Sequence, residues 1–358
     1  MGVPASAWNG ELVQHVCFLV PGTTAQFRCG GLSVELQTAR LVGEITKSEV
    51  VTYKQKQGDL PFLDDLLLNN DYQDVLWIVS WGFDVPRLIK KLNGRLVAYH
   101  AHSSGYGFNL PAGIPVLAVS RNTLGYWGSH AARNPLFLVP NALHQEWLER
   151  GDRFQSPKNH QHNERSIDVL VQERKSSPYV LRQLVPELRK QGLSVTVQTG
   201  WVDDLVGLFN DAKVYVYDSA DYWRGRGVSE GFGLPPLEAM ACGCVVFSSF
   251  NHALADTLDP GFVGHQIGCG TLVHDVQRIM SALQAPSNWL LPPQQLEVLL
   301  NQYSETALKI RWRDVLKMLE SLEFHEEQLI ARPLWQIRTS SFFLRSRNSL
   351  RRKIERKG

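Results

Sequence analysis

Several features are scarce in this 358-residue chain, and each scarcity excludes a class of protein. Cysteine occurs only five times, an odd and scattered number mostly within apolar segments, which predicts reduced core thiols rather than a disulfide framework. No apolar run approaches the ~18 residues that a membrane-spanning helix needs. The early run VCFLVP is too short for a signal peptide and lacks a basic leader, so we expect a cytoplasmic protein.

Signatures of metal ions and common cofactors are also lacking. Cys242 and Cys244 form a C-x-C pair without a second cysteine or histidine pair nearby, so we expect no metal site there. No G-x-G-x-x-G motif follows the first predicted strand, which argues against a nicotinamide-dependent dehydrogenase. Nothing marks a pyridoxal-binding lysine, which argues against a phosphorylase.

Short apolar runs alternate along the chain with longer helix-like segments. Because the runs are apolar throughout rather than alternating, they predict parallel sheets covered by helices on both faces. The alternation stops at the polar stretch 151–166 and then restarts, which predicts two doubly wound α/β domains in tandem with a ligand in the cleft between them. The predicted strands lie at 14–21, 74–80, 95–101, 114–120 and 135–141, and then at 167–172, 193–200, 213–219 and 243–249.

The stretch SEGFGLPPLEAMACGC, residues 229–244, places two glutamates eight positions apart around a loop rich in glycine and proline. We expect a helix to begin at about Pro235. Free N–H groups in the loop and at the helix start predict an anion site. Glu238 is then expected in the first helical turn, where a carboxylate can accept hydrogen bonds from both hydroxyls of a ribose. Glu230 is expected to reach a different part of the same ligand.

This stretch resembles the E-x7-E signature of the retaining GT-B glycosyltransferases, the group-one family also called family 4. The segment 199–219 is similar to the one that precedes the signature in that family. Gly30 and Gly31 resemble its N-terminal glycine loop, and we expect them to bind the donor by letting the backbone approach a phosphate or sugar. Residues 139–148 resemble its Pro-Asn-Gly segment, with Ala142 where glycine is usual. Residues 303–319 are similar to its closing helix. The resemblance covers nearly the whole chain up to about residue 330.

The resemblance implies roles for the two glutamates. Glu238 would hold the nucleotide ribose, and Glu230 would contact the donor sugar near its reacting carbon. Some cation is also needed, because the departing diphosphate gains negative charge in the transition state. Arg174 and Lys175 are the candidates, although family members usually space the two basic residues several positions apart. The loop amides expected to line the sugar and phosphate are those of Phe232, Gly233 and Leu234.

Further contacts are expected on both sides of the ligand. We expect the backbone near Gly200 and Trp201 to recognise the base. In the N-terminal half, His100 and His102 stand two apart on a predicted strand and should face the same side. By resemblance, His100 takes the position of a family histidine close to the donor sugar, which makes it a catalytic candidate beside Glu230.

The expected fold is therefore GT-B, with two Rossmann-like domains facing a cleft. We expect an acceptor domain at 1–150, a linker at 151–166, a nucleotide-sugar domain at 167–302, a closing helix at 303–331 and a tail at 332–358. The resemblance implies a retaining hexosyltransferase that uses a nucleotide diphosphate sugar, needs no cofactor or metal, and acts on a glycan or lipid-linked acceptor. A sugar-nucleotide epimerase on the same fold and a non-catalytic binding protein stay open as alternatives.

The tail differs from the rest of the chain in charge. Residues 332–358 hold nine Lys and Arg against one Glu, while the remainder is net acidic. Aromatic and aliphatic residues are interleaved with these cations, a pattern typical of a segment that lies on anionic lipid. Nucleic acid is not expected as a partner, because the acidic body would repel it. We therefore expect a peripheral protein at the inner face of a membrane.

Overall fold

The computed structural model describes residues 13–68, 72–80, 82–153, 165–259, 261–320 and 322. These residues form two compact units. The first contains the described residues up to 119 together with 123–139 and those from 309 onward, and the second contains 120–122 and 140–308. The basic tail at 332–358, and most of the polar stretch at 151–166, lie outside the described residues.

The first unit is built on a six-stranded parallel sheet in the order β2-β1-β3-β4-β5-β6. All six residues of its strand Leu96–Ala101 (β4) are buried, as expected for a strand covered on both faces. The strands are β1 His15–Val20, β2 Lys47–Thr52, β3 Leu76–Val79, β4 Leu96–Ala101, β5 Val116–Ala118 and β6 Leu136–Leu138. The helices are α1 Gly30–Val42, α2 Leu63–Leu66, α3 Val85–Lys91, α4 Arg121–His130 and the C-terminal α13 Glu305–Glu320, which belongs to this unit from Lys309 onward.

The second unit repeats the architecture with a five-stranded parallel sheet in the order β11-β10-β9-β7-β8. A π-helical turn at Val180–Leu184 leads into α6. The strands are β7 Ile167–Gln172, β8 Val195–Gln198, β9 Ala212–Tyr217, β10 Val245–Ser248 and β11 His265–Gln266. The helices are α5 Gln145–Arg150, α6 Val185–Lys190, α7 Leu205–Asn210, α8 Ala220–Arg226, α9 Leu234–Ala241, α10 Leu254–Thr257, α11 Leu272–Gln284 and α12 Pro293–Gln302.

The predicted fold class is confirmed, because both sheets are parallel and nine of their eleven strands coincide with the predicted apolar runs. The cysteines are all free, and three of them are buried. The apolar runs did not reveal two edge strands: β2, whose first four residues are exposed or half-buried, and the two-residue β11. In the part of the chain that the structure describes, no helix is both long and apolar enough to cross a bilayer.

Candidate donor-binding site

The second sheet has a topological switch point between β7 and β9. After β7 the chain adds β8 on one side, then returns to add β9 on the other. The loops that leave the carboxyl ends of β7 and β9 therefore diverge and open a crevice, which is where ligands bind in doubly wound sheets. Lys175 follows β7, Tyr217 ends β9, and Glu230 lies between α8 and α9.

Glu230 is the centre of this crevice and is almost fully buried. Its Oε1 lies 3.1 Å from the ammonium nitrogen of Lys175. Its Oε2 accepts hydrogen bonds from the hydroxyl of Tyr217 and the indole N–H of Trp223, both at 2.6 Å. Lys175 in turn lies 4.9 Å from the ring centroid of Trp223, a cation–π contact. A fourth contact joins the Glu230 backbone N–H to Nδ1 of His252 at 3.2 Å.

These contacts keep Glu230 ionised. Burial by itself favours the neutral acid, but the attraction of Lys175 and the hydrogen bonds from Tyr217 and Trp223 outweigh it, so the pKa of Glu230 is lowered. A buried carboxylate with this number of donors is fixed in position and has little freedom to act as a proton donor. Its chemistry is electrostatic: it can stabilise positive charge that develops beside it.

Of the two predicted diphosphate cations, the structure brings only Lys175 to Glu230. Lys175 adopts a left-handed backbone conformation with φ of 76°, which is uncommon for a residue with a side chain. Such strain persists where surrounding contacts fix the conformation, and here the ammonium group has both Glu230 and Tyr217 within 3.2 Å. Arg174 is exposed and makes no ion pair within the described residues.

The predicted loop joins Glu230 to α9. Gly233 is the N-cap of that helix, with φ of 83°. A Cβ at this position would lie 2.4 Å from Cδ2 of Leu254, so only glycine fits without a rearrangement. The side chain of Phe232 is buried edge-on against the ring of Tyr303. Leu234 is the first helical residue, one position earlier than predicted.

Glu238 is consequently the fifth residue of α9, in its second turn and not in the first as expected. Its side chain is half-buried, and its carboxylate accepts no hydrogen bond from any described residue. Burial of the carboxyl raises its pKa to about 7, and Lys175 only partly offsets this effect. The signature glutamates thus have opposite electrostatics: Glu230 has several protein donors, whereas Glu238 has unused acceptor capacity.

Gly200 and Trp201 follow β8, the strand that neighbours β7. Gly200 has φ of 72°, which suits glycine at this turn. The side chain of Trp201 is 71% exposed, and its indole N–H donates to Asp203 at 3.0 Å. An indole this exposed presents a large flat apolar surface at the carboxyl edge of the sheet.

In the first unit, Gly30 and Gly31 are the first two residues of α1, and the side chain of the N-cap residue Cys29 makes no capping hydrogen bond. His100 lies in β4 and is almost fully buried, with Nδ1 at 2.8 Å from Oε2 of Glu35. His102 has Nε2 at 2.8 Å from the same oxygen. The two histidines therefore face the same side, as predicted, but they meet a carboxylate that the sequence did not indicate.

Ligand atoms of Glu35, His100 and His102 lie within 4.8 Å of one another, as do those of His15, Cys17 and Glu49. The first group is joined by direct hydrogen bonds. In the second, His15 lies 3.5 Å from Glu49 and 3.7 Å from the thiol of Cys17. These are the two groups of the described residues in which nitrogen, sulfur and oxygen ligands come close enough to share an ion.

Comparison with known proteins agrees with this geometry. Residues 171–285, which contain the switch point and both signature glutamates, match the family of glycosyl transferases group 1. A serotype-specific mannosyltransferase of Escherichia coli, WbdA, is 34% identical over 113 residues. That alignment spans 30% of this chain and only 12% of the length of WbdA.

Solved structures share the fold over most of the chain. Sucrose-phosphate synthase of Thermosynechococcus elongatus superposes with a TM-score of 0.63 at 14% identity, covering 86% of this chain and 99% of that one. Anabaena HepE, in complex with UDP and glucose, superposes with a TM-score of 0.59 at 14% identity, covering 86% of this chain and 100% of that one. At such identities the likeness establishes the fold alone.

Proposed function

Residues 171–285 form a group 1 glycosyltransferase domain, and from that premise we propose that the protein is a retaining glycosyltransferase. It moves a sugar from a nucleotide diphosphate sugar to a hydroxyl of a glycan or lipid-linked acceptor, in the synthesis of a cell-surface polysaccharide or glycolipid. The observation that carries this proposal is the Lys175–Glu230 pair at the switch point, on the same motif as Glu238, a half-buried carboxylate that accepts no hydrogen bond from the part of the chain that the structure describes.

The donor's charged and hydroxyl groups match this arrangement. The diphosphate lies against Lys175, with Arg174 at the rim, and against the amides of Phe232, Gly233 and Leu234 at the start of α9. Glu238 accepts hydrogen bonds from the ribose hydroxyls with its unused oxygens. The base lies near Gly200 and Trp201. Glu230 stays ionised beside the sugar and stabilises the positive charge that develops at the anomeric carbon in the transition state.

The first unit is assigned the acceptor, together with contacts to the donor from Gly30, Gly31 and His100. Because Lys175 and Arg174 supply positive charge for the departing diphosphate, this reaction needs no metal ion at the diphosphate. Transfer should therefore be unaffected by a chelator such as EDTA. A loss of activity with EDTA that divalent ions restore would contradict this assignment.

A hexose is the first donor class to test. WbdA transfers mannose and HepE was solved with UDP and glucose, so UDP-glucose and GDP-mannose head the panel. The experiment is thermal denaturation with a series of nucleotide sugars, followed by assays for transfer and for slow donor hydrolysis with any that stabilise the protein. Glu238→Ala is the matched control: it should lose the stabilisation. A protein that no nucleotide sugar stabilises or reacts with is not a glycosyltransferase of this kind.

The membrane assignment rests on the sequence of the tail. Its aromatic and aliphatic residues among cations suit anionic lipid, where each nearby basic residue contributes ~1 kcal/mol. We therefore propose that the enzyme works in the cytoplasm at the inner face of a membrane, beside a lipid-linked acceptor. The test is flotation with anionic liposomes of the full chain and of a form that ends at residue 331. If both forms float equally, or neither floats, the tail is not the anchor.

A further inference from the structure

Glu35 is a charged residue with no exposed surface that the proposed reaction does not use. Its Oε2 accepts from both His100 and His102, and its Oε1 has no partner among the described residues. Burying an ionised carboxylate costs free energy unless it is paired and hydrogen-bonded, so the two contacts to histidine are what make this position tolerable. Glu35 lies on α1, the helix that begins with Gly30 and Gly31, and both glycines are among the proposed donor contacts of the first unit.

We propose that Glu35 is a positioning residue for His100: it holds the proton on Nδ1, so that the neutral ring presents an unprotonated Nε2 to a hydroxyl of the donor sugar. This inference rests on the proposed function. With this tautomer, Nε2 of His100 accepts a hydrogen bond, so His100 recognises a sugar hydroxyl that donates one.

The tautomer follows from hydrogen-bond chemistry. An ionised carboxylate only accepts, so a ring nitrogen 2.8 Å from it must carry a proton. A neutral imidazole has one N–H, which leaves the lone pair on Nε2. Burial opposes ionisation of Glu35, but its attraction to His100 and the hydrogen bonds from His100 and His102 lower its pKa to about 2. Burial also lowers the pKa of His100, which keeps the ring neutral near pH 7.

The ring of His100 is also held in orientation. The edge of Trp312 packs against it with centroids 5.5 Å apart and the planes at 89°. Trp312 is fully buried and packs in the same way against Phe18 of β1. Rotation of His100 away from Glu35 would break the hydrogen bond and this contact together. The tautomer and the direction of Nε2 are therefore fixed by the same cluster.

The first test reads the tautomer directly by ¹⁵N NMR of the histidine side chains near neutral pH, with His100→Gln to assign the signals. In the wild type we expect His100 protonated on Nδ1 only. In Glu35→Gln the amide can either accept or donate, so the Nε2-protonated form should appear. Nε2 protonation in the wild type overturns the proposal. So does a Zn²⁺-dependent shift of both histidines that EDTA removes, because that would identify a metal site.

The second test uses the donor found in the panel and its deoxy and deoxyfluoro analogues. At one hydroxyl, the wild type should lose about tenfold or more in kcat/KM when the group can no longer donate. In Glu35→Gln this preference should shrink to about threefold or less, whereas His102→Gln, which keeps an N–H near the same carboxylate, should retain it. An unchanged preference in Glu35→Gln overturns the proposal. If instead the wild type uses no nucleotide sugar, the proposed function itself fails.

Discussion

In the first unit the buried carboxylate of Glu35 accepts from two imidazoles, whereas in the second the buried carboxylate of Glu230 accepts from an ammonium, a phenol and an indole. Both pKa values are lowered by these contacts. The donors differ in kind, because imidazoles titrate near neutral pH while lysine, tyrosine and tryptophan keep their protons there. The carboxylate therefore faces a lysine and two neutral donors in one unit, and two imidazole rings in the other.

This difference fits a division of labour. A charge that must face a developing cation is most useful when its partners never change state, as at Glu230. The cluster around Glu35 has a different task, which is to set the tautomer of a neutral histidine, and its donors are therefore imidazoles. Removing the charge of Glu230 tests the role assigned to the second unit, and of the changes considered we expect it to reduce turnover the most.

Glu230→Gln should reduce turnover by about 100-fold or more while donor affinity changes only a few-fold. The amide keeps the shape of the side chain and some of its hydrogen bonds. It removes the negative charge that stabilises the cationic transition state, and we expect the loss in rate to be comparable to that of removing an oxyanion-hole donor. Steady-state kinetics and calorimetric titration of the donor separate the two effects. Near-normal turnover with poor binding would exchange the roles of Glu230 and Glu238.

Glu238→Ala is expected to act on binding instead. A hydrogen bond to a charged group contributes ~1.5–3 kcal/mol, which corresponds to a loss of roughly 10- to 150-fold in affinity for the nucleoside diphosphate. The fold should be unaffected, since the carboxylate accepts no hydrogen bond within the described residues. The wild type should also discriminate against a 2′-deoxynucleotide, and the variant should not. Equal affinity of both proteins for the ribonucleotide contradicts the ribose assignment.

The raised pKa of Glu238 gives a third expectation. Below its pKa of about 7 the carboxyl is protonated and loses acceptor capacity, so donor affinity should rise with pH and level off above 7. The rise cannot exceed about tenfold per pH unit for a single proton. An intact nucleotide sugar is the proper ligand, because it lacks the terminal phosphate that titrates near pH 6. Glu238→Gln should show no such dependence, and a slope that persists in this variant would place the titrating group elsewhere.

The strands were predictable because fully buried parallel strands are continuous apolar runs, as in HVCFLV of β1 and YVY within β9. Several elements were not predicted, and two of them show why. The edge strand β2 has half-buried residues without a clear period, and α8, Ala220–Arg226, has no buried residue. Short exposed elements leave no hydrophobic pattern to read.

The sequence also indicated the two signature glutamates and Lys175 as candidate site residues, but it did not indicate the other side chains that contact Glu230. Tyr217 appeared only as part of a strand, and Trp223 lies on the unpredicted helix α8. Glu35 and His100 are 65 positions apart, so nothing local marks them as neighbours. The opposite pKa shifts of Glu230 and Glu238 arise from burial and from these distant donors, which a motif of nine residues does not encode.

The smallest expected effect sharpens the comparison by removing one donor from Glu230 while its charge and its lysine stay. Trp223→Phe keeps an aromatic face beside Lys175 but deletes the indole N–H that lies 2.6 Å from Oε2. A hydrogen bond to a charged group contributes ~1.5–3 kcal/mol, but only the part that differs between the ground state and the transition state changes the rate, so we expect turnover to fall roughly 2- to 12-fold. Tyr217→Phe is the matched control, because it deletes the other donor to the same oxygen. The double variant should lose more than the two single losses combined, since Lys175 is then the remaining side-chain donor to Glu230 among the described residues. Strict additivity, or full activity in both single variants, would mean that the three donors do not act as one unit on Glu230.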